Sequence, residues 1–152
     1  MPADPTASLP SATKVADTTP VDANQTPESY LGTQRASNYS GSPSLVNGTT
    51  TFTTPSTVAA STFALGGTWK ATNEELTSVS GSRISLAYTA SKVYLDVGGT
   101  GTLTVTASGK TSTFAVSGAP NIYTVVNRSS VHTGDVTISL SPGLQAYSFT
   151  FG

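Results

Sequence analysis

Apolar and hydroxyl side chains alternate along much of the chain, most clearly at its end. In VTISLSPGLQAYSFTF, Val136, Ile138 and Leu140 alternate with Thr137 and Ser139. Ser141-Pro142-Gly143 interrupts, and Tyr147, Phe149 and Phe151 then alternate with Ser148 and Thr150. A period of two sends each apolar set to one face of a strand and each hydroxyl set to the other. Three rings on one face, each covering on the order of 150–250 Å², require an opposing sheet.

The same pattern recurs upstream. Phe63, Leu65, Gly67 and Trp69 share a face of a strand-rich region from Thr51 to Trp69, and a second run spans Asn73 to Val79. From Arg83 to Thr89, Ile84, Leu86 and Tyr88 alternate with Arg83, Ser85 and Ala87. From Lys92 to Val97, Val93, Leu95 and Val97 point inward, leaving Tyr94 and Asp96 on the other face. Gly98 to Gly101 is a turn. Ser108-Gly109-Lys110, between runs holding Leu103 and Val105 and then Phe114 and Val116, is a hairpin signal. Ile122 to Val126 is nearly continuous apolar, and Asn127 to Gly134 reads as a loop. Glu28 to Gly32 reads as a short helical turn that Gly32 ends.

Eight or nine short strands, with turn signals about every 8–12 residues, predict an all-β fold, a two-sheet β-sandwich of jelly-roll type. The predicted core is Phe63, Leu65, Trp69, Ile84, Leu86, Leu95, Val105, Phe114, Val125, Ile138, Phe149 and Phe151. Residues 1–26, with Pro2, Pro5, Pro10 and Pro20 among Ala, Ser, Thr and Asp, read as an extended or disordered linker from a preceding domain. Residues 27–152 form the β-sandwich module. The opening MPADPTASLP reads as an initiator Met on a segment of a longer protein.

Composition narrows the chemistry. Of 152 residues, roughly a third are Ser or Thr and 10% are charged, which suits solvated strand faces better than surface helices. The formal net charge of −1 leaves no basic field for phosphates, so nucleic acid is not an expected partner. The absence of cysteine excludes thiol catalysis, disulfides and Cys-ligated zinc within this chain. No apolar run approaches the roughly 18–20 residues of a transmembrane segment.

Four stretches in order carry a resemblance: TPESYLG (Thr26 to Gly32), LGGTW (Leu65 to Trp69), ISLAYTASKVYL (Ile84 to Leu95) and GLQAYSFTFG (Gly143 to Gly152). They resemble the C-terminal module that follows the thioredoxin-like domain of DipZ-type thiol:disulfide interchange proteins, across residues 26–152. The resemblance implies a sandwich similar to carbohydrate-binding modules. It also implies a membrane-anchored parent acting on the extracytoplasmic side of the cell envelope, with its Cys-x-x-Cys pair upstream. The implied partners are the preceding thioredoxin-like domain of the parent chain and an envelope saccharide. No redox residue transfers to this chain, which has no cysteine to receive one.

Individual candidates are weighed against plainer roles. His132, in SSVHTGD, has no second His or Cys for a metal site, and with Asp135 nearby it reads as part of a solvated loop rather than a catalytic pair. Glu74 and Glu75 are adjacent, so strand geometry turns them to opposite faces, unsuited to the two carboxyls of glycoside hydrolysis. A role accepting backbone hydrogen bonds at a strand start fits them better. No cofactor is expected; Asp96 and Asp135 suggest at most a structural calcium. No catalytic residue is assigned, and the chain alone is expected not to be an enzyme.

A sugar binder uses exposed rings. Trp69, Tyr88 and Tyr147 fall on apolar-face registers and read as core, whereas Tyr94 is out of phase with Val93 and Leu95. Tyr94 is therefore the leading ring, with Asn38, Asn73 and Asn121 as amide partners for hydroxyls. Tyr123 is a further candidate ring, and Tyr30 and Tyr39, ahead of the strand-rich region, either pack against it or face a ligand. The Asn-x-Ser/Thr matches at Asn24, Asn38, Asn47 and Asn127 are expected by chance in so Ser/Thr-rich a chain. The competing reading is a docking or spacer module with no sugar site.

Overall fold

The computed structural model describes residue 26, residues 28–36 and residues 38–152. The segment read as a linker otherwise lies outside the described residues. Its last residue, Thr26, is buried; its amide donates to the Thr89 carbonyl, and its hydroxyl accepts from the Thr89 amide.

Eight strands are present and no helix occurs among the described residues. They are β1 (Ser29–Tyr30), β2 (Gly48–Phe52), β3 (Phe63–Ala71), β4 (Leu76–Gly98), β5 (Gly101–Ala107), β6 (Lys110–Val116), β7 (Asn121–Leu140) and β8 (Gln145–Phe151). All named strand pairings are antiparallel. None of these helix-free elements is a helix long and apolar enough to cross a membrane.

Two strands are far longer than predicted. β4 has 23 residues and joins the three runs expected as separate strands; β7 has 20 and absorbs the whole of the expected loop at Asn127 to Gly134. The early half of β4 pairs with β3 on one edge and the late half of β7 on the other. Its late half pairs with β8 and with the early half of β7. One sheet is therefore β2-β3-β4-β7-β5-β6 and the other β1-β8-β4-β7, with β4 and β7 running through both. The apolar faces of both sheets meet in one core around Phe63, Leu65, Trp69, Ile84, Leu95, Ile138 and Phe149. This is an all-β sandwich.

The passage between sheets needs a change of phase. On β4 the residues of the core cluster from Ile84 onward are Ile84, Leu86, Tyr88 and Ala90, then Val93, Leu95 and Val97. Even positions give way to odd ones where the register steps from Ala90↔His132 to Lys92↔Asn127, so four residues of β7, 128–131, stand against Ser91 alone. A bulge of this kind bends a strand and re-aims its side chains.

Ten of the twelve predicted core residues are buried, while Phe114 and Phe151 are partly buried against the core. Leu31, Leu76, Leu103 and Leu144 are also fully buried. The hairpin at Ser108-Gly109 forms as expected, with Ala107↔Lys110 closing it and both turn residues at positive φ. The helical turn moves: Ser29–Tyr30 is strand, and Gly32 begins the turn, accepting from the amides of Arg35 and Ala36.

Candidate functional site

The outer face of the smaller sheet carries a groove. Pairing aligns Tyr30 with Ser148, Ser148 with Asp96, and Asp96 with Ile122, so these residues share that face. Next to them the register steps from Asp96↔Ser148 to Val97↔Ala146, making Tyr147 the extra residue of a bulge. Tyr147 is half-buried on the outer side, a correction to its expected place in the core.

Two turns wall the groove. Thr72 to Glu75 closes the β3–β4 hairpin, with the Thr72 amide donating to the Glu75 carbonyl at 2.9 Å. Glu74 and Glu75 are thus turn residues rather than strand residues. The backbone-binding role expected of them belongs to the Thr72 hydroxyl, which accepts from both their amides. The turn beginning at Gly32 lies against this hairpin, with Thr33 and Gln34 amides donating to the Thr72 and Asn73 carbonyls. A Cβ on Gly32 would fall 2.3 Å from the Glu74 carbonyl carbon, so only glycine permits this approach.

The resulting open groove of about 510 Å³ is lined by residues from four separate parts of the chain, among them Tyr30, Arg35, Asn73, Glu74, Asp96 and Tyr147. The Arg35 guanidinium carbon stands 3.7 Å from the Tyr30 ring centroid, a cation–π contact. The Tyr147 hydroxyl donates to Gln145 Oε1 at 3.4 Å, and Gln145 Nε2 donates to Glu75 Oε2 at 3.1 Å. Burial raises the Tyr147 pKa, and the charges of Glu75, Asp96 and Glu74 push it further the same way. Burial alone raises that of Asp96. A smaller depression of about 340 Å³ adjoins, formed by Asn47, Thr72, Asn73, Glu74 and Glu75.

Of the predicted site residues, Asn73 lines the groove; its Oδ1 accepts from Asn47 Nδ2 at 2.9 Å. Tyr94 lies on the same sheet face as Asp96, opposite Thr150 and Thr124, and beside Gly152, but does not line the groove. Asn38 donates to the buried Ser29 hydroxyl at 3.0 Å, a link that ties down the loop ahead of β2. Asn121 faces Val97, on the inner register, and its Oδ1 accepts from the next amide, of Ile122. The four therefore do not converge. Tyr30, Arg35 and Tyr147 form the groove's rings and cation instead.

His132 is also corrected: it is paired with Ala90 on β7 rather than in a solvated loop. Its Nε2 lies 2.9 Å from the Tyr88 hydroxyl, and the rings meet edge to face. Asp96 and Asp135 stand opposite Ile122 and Ala87, in different sheets, so they do not share a cation site. Among the described residues no three metal-ligating side chains cluster.

The family model for the thioredoxin-like C-terminal domain matches residues 26–152. The chain belongs to that family. The family's name refers to a thioredoxin, but the described residues form strands and no helix. The chain is 40% identical over 144 residues to Protein DipZ of Mycobacterium bovis and, equally, of Mycobacterium tuberculosis. That match takes in 94% of this chain and 21% of each relative, so the chain spans about a fifth of their length. Among solved structures, a family two carbohydrate esterase from Cellvibrio japonicus is similar at TM-score 0.47 and 11% identity, over 51% of this chain and 26% of that one. A likeness that slight carries no argument about what this chain binds.

Proposed function

We propose that the chain is a non-catalytic, carbohydrate-binding-like module at the C-terminal end of an exported, membrane-anchored thiol:disulfide interchange protein of DipZ type. The similarity to DipZ supports the parent, and the absence of cysteine places any thiol chemistry of that parent outside this module. The module's task is then to bring the parent's thioredoxin-like domain to an envelope saccharide.

The observation that carries the binding reading is the bulge that brings Tyr147 to the outer face, next to Ser148, the pairing partner of Tyr30, in a groove shared with Asn73 and Asp96. Rings stack on the C–H face of a pyranose, while amide, hydroxyl and carboxylate groups exchange hydrogen bonds with its hydroxyls. Stacking contributes about 1 kcal/mol and each net hydrogen bond about 1 kcal/mol. Association costs offset much of this, leaving dissociation constants on the order of high micromolar to millimolar.

Titrating envelope-derived oligosaccharides into isotope-labelled protein tests the reading. Resonances of Tyr30, Asn73 and Tyr147 shift, and Tyr147→Ala abolishes the shifts. Absence of any shift at millimolar sugar, with binding instead to the adjoining thioredoxin-like domain, would replace it with the docking reading.

A further inference from the structure

Two carboxylates in the groove lining stand without a hydrogen bond from any described residue. No hydrogen bond from a described residue reaches the Asp96 carboxylate, although burial raises its pKa and it forms part of the lining. The Glu74 carboxylate likewise has none. The Tyr147 hydroxyl proton is committed to Gln145, so its free lone pair also accepts. Among the described lining residues only Arg35 brings a positive charge, and it is stacked on Tyr30.

That stacking shows which partner suits a ring on this face. A carboxylate-rich surface with an aromatic wall favours a cation, and among the described lining residues only Arg35 supplies one, on the Tyr30 ring. The Tyr147 ring, on the strand paired with that of Tyr30, lies within reach of the charges of Glu75, Asp96 and Glu74, and among the described residues no guanidinium or ammonium group stands against it. An ammonium group carries three donors and no acceptor, matching the acceptors around the Tyr147 ring. It also gains from a ring face and a partly desolvated carboxylate at once.

Resting on the saccharide reading above, we infer that the groove selects a sugar bearing a free amino group, with its ammonium seated against Asp96 and the Tyr147 ring. Neutral hydroxyls would satisfy some of these acceptors but would leave the carboxylates uncompensated. Uronic or phosphorylated sugars would meet three like charges. N-acetylation of the amine removes the charge and two of its three donors, and so the reason for the preference.

The purified chain is titrated with oligomers of glucosamine, N-acetylglucosamine, glucose and galacturonic acid of matched length, and with a short lysine peptide. Measurements are made at several pH values from mildly acidic to neutral. The glucosamine oligomer should bind roughly five- to tenfold tighter than the glucose and N-acetylglucosamine oligomers, an advantage that shrinks with added salt. Asp96→Asn should bring those affinities together, with circular dichroism confirming that the variant folds, and Glu74→Gln should reduce the gap partly. Equal affinities for the charged and uncharged oligomers overturn the inference and leave the saccharide reading standing. A preference that survives Asp96→Asn overturns the assigned seat. If no oligomer binds, both readings fall, and binding of the lysine peptide in that case assigns the groove to a protein ligand.

Discussion

At Asp96 the chain holds a carboxyl group in the groove wall against its own solvation. Desolvation raises its pKa above the ordinary 3.8, and no described residue compensates with a hydrogen bond. The folded state then binds more protons than the unfolded one between 3.8 and the raised folded value. Stability therefore falls as pH rises through that window. Asp96→Asn removes the titration while keeping the shape. Its melting temperature should match the parent's in acid and exceed it at neutral pH. A variant melting lower at neutral pH would show that the carboxylate receives hydrogen bonds after all. A second group behaves in the same sense at high pH. Burial of Tyr39, whose hydroxyl donates to the Pro43 carbonyl, pushes its pKa up to about 12, so its contribution is lost as pH rises from 10.0 toward that value.

β4 works as a spine because it bends without ending. Its pairing with β3 shifts register between Gly66 and Thr68, where Gly67 takes φ of 77° and presses on the opposing strand. A Cβ there would sit 2.0 Å from the Gly81 carbonyl oxygen. Gly109, in the β5–β6 turn, has nearly the same φ of 76°, but nothing stands within 4 Å of its Cβ position. The two positions separate backbone strain from close approach. Gly109→Ala should cost about 1–2 kcal/mol, the left-handed penalty alone. Gly67→Ala should cost more, since β3 and β4 must also move apart. Urea denaturation of the two variants measures the difference, and equal losses would mean that the strands yield freely.

For the whole molecule, the consequence of two strands shared by both sheets is cooperativity. Neither sheet can open without tearing β4 and β7 from their remaining partners. Unfolding should appear as one transition, with near- and far-ultraviolet circular dichroism curves coinciding. Phe149 is fully buried, opposite Leu95, and stacked on Phe151 with ring centroids 6.4 Å apart. Phe149→Ala should cost about 3–5 kcal/mol, a large share of the roughly 5–15 kcal/mol that holds a typical domain together. An unchanged melting temperature would contradict its place in the core.

The amino-acid sequence by itself determined the all-β class, the Ser108-Gly109 hairpin and most of the core, because strand alternation and turn chemistry are local. Phe63, Leu65, Trp69, Ile84, Leu95 and Ile138 are buried as their period-two spacing requires. Bulges have no such local signature. Whether Tyr147 continues the Phe149–Phe151 face or turns outward depends on how β8 pairs with Asp96 and Val97, residues some fifty positions away. The same holds for His132, whose place on a strand depends on pairing with Ala90. The groove lay further from view. Of its predicted residues only Asn73 lines it, because Tyr30, Arg35, Asp96 and Tyr147 meet only when two turns pack together and β1, β4 and β8 align. Tertiary structure alone decided the site, since a side chain's face is set by a strand's own period only until pairing inserts an extra residue.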